Sequence, residues 1–186
     1  MKNDRDHILK ITTTAVMIAL TCVLTLAVKI PTPTKGYLNL GDCLVLLSGW
    51  LLGPVWGAVA GGVGSALADL FAGYPIYVPG TLIIKAVMAA AVALVPRLFP
   101  GREKGLSRMG LIAAAVLAEG FMVAGYWLYE AAVIGEGFAA ALAGVSGNVF
   151  QGIAGVAGSY FLVGVLSHTG LVRAYGAGTF AKGRAK

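Results

Sequence analysis

The side chains able to do polar chemistry in this chain are few, and they are set in stretches that are otherwise apolar. Asp42, Asp69 and Lys85 come first. Glu119, Tyr126 and Glu130 follow at offsets of seven and four, and Asn148 and Gln151 lie three apart. Offsets of three, four and seven return to one face of an α-helix, so Glu119, Tyr126 and Glu130 form one stripe and the two amides another. A cation, carboxylates, a phenol and two amides that both donate and accept are groups that hold a polar heterocycle by hydrogen bonds. The two amides equally suit helix-to-helix hydrogen bonding, and both uses stay open.

Recognisable catalytic patterns are missing. The sequence has no GxxxxGK[ST] phosphate loop, no Ser/His/Asp or Cys/His arrangement, no paired-carboxylate motif and no metal-ligand spacing. The glycine-rich run at 61–65 lies inside an apolar stretch with no strand before it, which excludes a nucleotide loop. Cys22 and Cys43 fall at different predicted depths and read as isolated thiols, and His7 and His168 have no partner motif. No metal and no catalytic residue is expected. Carboxylates in a membrane pocket can act as acid and base, so an enzyme acting on lipid through Glu119 remains as a minor alternative.

Elements that carry such residues must first tolerate lipid. The chain has 186 residues, 58% hydrophobic and 12% charged, with 27 glycines and a mean hydropathy of +0.84. This is the composition of an all-α integral membrane protein. With about 20 apolar residues per span, five or six spans fit and no soluble catalytic domain does. The first apolar run ends without a small-residue cleavage pattern and reads as a retained span.

The stretch 42–72 is too long for one span and too short for two full ones. Basic residues decide between the options. If Arg97, Arg102, Lys104 and Arg108 share the cytoplasmic side with Lys2, Arg5 and Lys10, an even number of spans must separate the two groups. Splitting the stretch at Gly53-Pro54 gives that number. The expectation is a single membrane domain, 1–186, with six transmembrane helices at about 8–28, 42–52, 55–72, 80–95, 109–133 and 141–166, and both termini cytoplasmic. Eleven of the fourteen basic residues then lie inside. The short second helix must be shielded by protein or meet a water-filled cavity. Although the net charge is +6, the basic clusters sit between apolar spans as topology signals, and a nucleic-acid partner is excluded.

Glycine falls in helical rows. Gly57, Gly61, Gly64 and Ala68 form one face, and Gly144, Asn148, Gly152 and Gly155 another, as expected where helix backbones approach closely. No internal repeat supports an inverted-repeat transporter. Asp69 and Lys85 flank the predicted outer turn at 73–79 and lie roughly 6 to 9 Å below it at about 1.5 Å per residue. They are placed either to pair with one another or to offer charge to a ligand. Glu119, deep in its span, must be neutral, paired or hydrated, whereas Glu130 is expected at the interface. Tyr37, Tyr74, Tyr77, Tyr126, Trp127 and Tyr129 gather toward the outer side as an interfacial belt from which one or two rings can stack on a ligand.

Several stretches, in this order and spacing, carry a family likeness: Asn39-Leu40-Gly41-Asp42, Leu52-Gly53-Pro54, Gly64-Ser65-Ala66-Leu67-Ala68-Asp69-Leu70, Thr81-Leu82-Ile83-Ile84-Lys85 and Gly147-Asn148-Val149-Phe150-Gln151-Gly152. Together with the six-span layout they cover most of the chain, which resembles the substrate-binding S components of energy-coupling factor (ECF) vitamin transporters. The likeness is to the branch with riboflavin, pyridoxine and hydroxymethylpyrimidine carriers. Ala15 and Ala19 match that family's Ala-x-x-x-Ala motif, which implies packing on a transmembrane coupling subunit; a pair of alanines four apart equally suits internal packing.

The resemblance implies a multi-pass protein of a prokaryotic plasma membrane that captures a water-soluble vitamin or precursor from outside. It implies a pocket in the outer halves of spans four to six, and a lid at 29–41 with Asn39 and Asp42 at its hinge-side end. Two separate cytoplasmic ATPase subunits would consume ATP, leaving this chain without a cofactor, and the protein would topple in the bilayer to release its ligand. Carried onto this chain, Lys85, Glu119, Tyr126, Asn148 and Gln151 are the expected ligand contacts, with Asp69 and Lys85 organising the hairpin. A pyridoxine-like or hydroxymethylpyrimidine-like heterocycle is the first expectation and riboflavin the second. A stand-alone permease is the alternative of a different class.

Overall fold

The structure is a computed structural model that describes residues 2–32, 36–98 and 108–166. Pro33, Lys35, Arg102, Lys104, His168 and the tail bases Arg173, Lys182, Arg184 and Lys186, which entered the orientation, lid and metal expectations, lie outside the described residues.

Helix α1 (Lys2–Ala27) leads into a two-stranded antiparallel hairpin, β1 (Ile30–Pro31) with β2 (Tyr37–Leu38), in the register Ile30 to Leu38 and Pro31 to Tyr37. Then come α2 (Asp42–Ala72), α3 (Val78–Leu94) with a 3₁₀ turn at Val95–Leu98, α4 (Arg108–Leu128) continued by a π-helical turn at Tyr129–Val133, and α5 (Phe138–Leu166). By length and composition four described segments, His7–Ala27, Asp42–Ala72, Met109–Val133 and Phe138–Leu166, are apolar enough to cross a membrane, and Val78–Leu94 is a shorter apolar helix.

Helix α2 is not straight. Gly53 has φ 80° and ψ −176°, a region open almost solely to glycine, and Pro54 follows, unable to donate a backbone hydrogen bond. The chain folds back there. A methyl group on Gly57 would stand 2.6 Å from the Cα of Gly49, and one on Gly61 would stand 3.0 Å from Val45 Cγ1, contacts disposed symmetrically about Gly53. Residues 42–52 and 54–72 are thus two antiparallel arms. The first arm is about 16 Å long at about 1.5 Å per residue, roughly half a bilayer. Residues 42–50 are all buried, so protein shields it on every side.

The second arm carries the predicted small-residue row, and Gly57, Gly61, Gly64 and Ala68 are all buried. At Gly64 a Cβ would meet the Ile18 carbonyl oxygen and Thr21 Cβ of α1, each at 2.8 Å, so the two backbones meet there without room for a side chain. The core runs through Val45, Leu46 and Trp50 of the first arm, Met88 and Val92 of α3, and Met122 of α4. Outward faces stay apolar, with Val55, Ile83, Leu117, Phe150 and Phe161 exposed, as in a helix bundle that contacts lipid.

Three connections meet at one end of the bundle. The β hairpin reaches the α2–α3 turn, where the rings of Tyr37 and Tyr74 lie 4.9 Å apart. That turn in turn reaches the π-helical end of α4, with Tyr129 Oη donating to the Ile76 carbonyl at 2.7 Å. Gly73, at φ 86°, closes α2 by donating its N–H back to Asp69 and Leu70, a left-handed cap that suits glycine.

Candidate functional site

At this end a recess opens between the hairpin and helices α2 to α5. Its walls are Thr32, Gly36, Tyr37, Asn39, Asp69, Tyr77, Thr81, Tyr126, Glu130, Gly144, Asn148 and Gln151. Counted to its mouth, open solvent included, it holds about 410 Å³ of space. The lining is polar, unlike the rest of the helix surfaces.

Each wall residue is held by a local cause. Tyr37 projects from β2 and donates from Oη to Asp69 Oδ1 at 2.7 Å. Burial pushes the Tyr37 phenol well above its ordinary value, and the Asp69 carboxylate pushes it further, so Tyr37 remains a donor. Thr81, one turn before Lys85 on α3, shares a 2.9 Å hydrogen bond with Tyr126 Oη of α4. Tyr77 donates to Glu130 Oε1 at 3.2 Å. The rings of Tyr37, Tyr74, Tyr77, Tyr126 and Tyr129 form a continuous chain with centroid separations of 4.9 to 6.5 Å.

Beneath the recess lies a buried ionic floor. Lys85 Nζ donates to Asp42 Oδ1, with the two side chains 2% and 1% exposed. Gln151 Nε2 donates to Asp42 Oδ2 at 2.8 Å, while Gln151 Oε1 accepts from the Asn39 backbone N–H at 2.9 Å. Asn39 Oδ1 accepts from the Gly41 N–H at 2.9 Å, a short local turn that sets the entry to α2. One amide thus joins α5 to the head of α2 and to the segment leaving the hairpin.

Of the two uses the sequence leaves open for Asp69 and Lys85, pairing with one another is not the one adopted. Lys85 pairs with Asp42, because the fold-back at Gly53 returns the head of α2 to the bundle centre, whereas Asp69 pairs with Tyr37. Glu119 sits deeper. It is buried beside Asp42 against the small-residue face of α5, and neither carboxylate oxygen has a hydrogen-bond partner among the described residues. A Cβ on Gly155 would lie 2.9 Å from Asp42 Cβ and 3.2 Å from the Glu119 carboxyl carbon, so the glycine row of α5 makes space for these two acids.

Of the residues expected at the ligand, Asn39, Asp69, Tyr126, Asn148 and Gln151 line the recess. Lys85, Asp42 and Glu119 lie outside its lining. Lys85 does remain 5.3 Å from the Tyr126 ring centroid. Glu130, expected at the interface, is 3% exposed and lines the recess, because Tyr77 and the α4–α5 turn cover it. Tyr37 and Tyr77, which the sequence offers only within the outer aromatic belt, and Thr81, not expected as a contact, are wall residues. For Thr81 the signal was present, since it stands four residues before Lys85 on one helical face. Trp127 faces away, its indole N–H on the Phe138 carbonyl at 3.2 Å. Ala15 and Ala19 are exposed on α1.

No group of three or more His, Cys, Asp or Glu residues is arranged to hold a metal among the described residues. Two comparisons bear on identity. A relative from Pyrococcus woesei, described as an uncharacterized protein in the gap 3' region, is 37% identical over 136 residues, covering 72% of this chain and 85% of its own length. The family model for the S component of the ECF-type riboflavin transporter matches residues 5–168. Spanning nearly the whole described bundle and the recess with it, that match shows that the chain belongs to the ECF transporter S component family, substrate-binding subunits of vitamin uptake rather than enzymes.

Proposed function

We propose that this protein captures a water-soluble vitamin or vitamin precursor in the recess at the hairpin end and delivers it across the cell membrane as part of an ECF transporter. The observation that carries the reading is a polar, tyrosine-walled recess in an otherwise apolar helical protein of this family. In this reading the hairpin end faces outward, and the two arms of α2 count as two of six spans with both termini cytoplasmic. Lys10, exposed near the start of α1, fits a cytoplasmic N-terminus.

Ligand entry requires the β1–β2 segment to move, since Tyr37 and Asn39 both wall the recess and tether it through Asp69 and Gln151. Ala15 and Ala19, exposed on α1, form the contact with a transmembrane coupling subunit, and two ATPase subunits supply the energy. Asn148, Gln151, Tyr126 and Asp69 contact the ligand directly, while Lys85, Asp42 and Glu119 act from below by fixing Gln151 and the head of α2. Reconstitution separates this reading from that of a stand-alone permease. Vesicles holding this chain with its coupling and ATPase subunits take up vitamin only with ATP inside the ATPase compartment; uptake by vesicles holding this chain alone would overturn the assignment.

A further inference from the structure

Asp69 is an unusual wall residue. It is 6% exposed and lies in the last turn of α2, where the helix carbonyls already concentrate negative potential and an acid is unfavourable for the helix itself. Its hydrogen bonds come from neutral hydroxyls, Tyr37 Oη at 2.7 Å and Thr81, and no basic side chain forms an ion pair with it among the described residues. The one lysine buried nearby, Lys85, is neutralised by Asp42 on the floor. Burial of a carboxylate without a countercharge is costly, and the free protein meets that cost only in part through hydroxyls. Around Asp69 stand the rings of Tyr37, Tyr77 and Tyr126, whose faces attract cations.

We infer that the ligand is a flat heterocycle bearing a positive charge or a protonated amine, paired with Asp69 and held among these three tyrosines. This rests on the reading of the recess as the vitamin site and names the class of molecule it takes. A ligand cation supplies the countercharge that the lining lacks at Asp69, and it does so where the carbonyls of the α2 terminus reinforce the attraction. Neutral or anionic vitamins gain nothing from that field. An anionic ligand is repelled by it.

Matched probes test charge without altering the protein. Binding to the purified full chain in lipid nanodiscs is measured by calorimetry with pyridoxamine and pyridoxine, which share a ring and differ by an ammonium against a hydroxyl, and with thiamine, riboflavin and biotin. The expected result is that pyridoxamine or thiamine binds at least about tenfold more tightly than any neutral or anionic probe, the scale expected of a desolvated charge pair. Asp69→Asn then removes that preference, with pyridoxamine or thiamine losing at least about tenfold more affinity than pyridoxine loses. Tightest binding of riboflavin, pyridoxine or biotin, or equal losses for charged and neutral probes in Asp69→Asn, overturns the inference and leaves vitamin capture standing. If wild-type protein with native near-ultraviolet circular dichroism binds none of the five, the vitamin reading falls together with it.

Discussion

Replacing Lys85 by Met tests the ionic floor on which the recess stands. The ammonium and the Asp42 carboxylate are 2% and 1% exposed, so water screens neither, and Lys85→Met leaves Asp42 with the Gln151 amide as its remaining partner. Removing one member of a buried pair costs about 3–5 kcal/mol, largely because the other charge stays buried. Asp42→Asn alone is expected to cost a similar amount for the mirror-image reason. The double variant Asp42→Asn/Lys85→Met buries no lone charge, so its loss falls well short of the sum, with a coupling energy of about 2–3 kcal/mol. Unfolding in mixed micelles, followed through the buried Trp50, reads all four proteins. A parallel cycle of Lys85→Met with Asp69→Asn is expected to show a smaller coupling than the Asp42 cycle, because Asp69 bonds to Tyr37 and feels the Lys85 charge without pairing with it. Strong coupling of Lys85 to Asp69, or a Lys85→Met cost below about 1 kcal/mol as for an exposed pair, refutes the arrangement.

Four further outcomes follow from the backbone and the packing. Gly53→Ala forces a side chain into a region with φ 80° and ψ −176° and is expected to lose about 1–3 kcal/mol, although nothing lies within 4 Å of the new methyl. Gly120→Ala, in the exposed helical face of α4 with the same open space, is expected to gain up to about 1 kcal/mol, and the opposite signs isolate the backbone effect. Gly155→Ala drives a methyl against Asp42 and the Glu119 carboxyl group, so a loss of about 1–3 kcal/mol and weaker vitamin binding are expected in unfolding and calorimetric titrations. Ala15→Leu with Ala19→Leu changes an exposed face and should leave stability within about 0.5 kcal/mol and ligand affinity unchanged, while ATP-driven uptake by the reconstituted transporter is lost.

What the sequence discloses, and what it hides, divides along the distinction between local and distant contacts. Gly53-Pro54 announces the break in α2 because backbone chemistry at two adjacent residues suffices to make it, and the glycine rows announce close packing because helical spacing is itself local. The partner of Lys85 was hidden for the opposite reason. Asp69 is nearer along the chain and lies across a visible turn, but Asp42 becomes the neighbour only after the first arm of α2 is returned to the bundle centre and locked by Gln151, 109 residues away. Glu130 shows the same limit: its helical face was readable from Glu119 and Tyr126, yet its burial depends on Tyr77, which arrives from another connection. The stretch from Asp42 to Lys85 therefore carries both halves of the site. Its first acid neutralises the lysine and fixes the floor, and that leaves its second acid, Asp69, facing the recess with a phenol for a partner. The sequence could show two acids and one lysine; only the fold-back at Gly53 decides which acid is satisfied by the protein and which is left for the ligand.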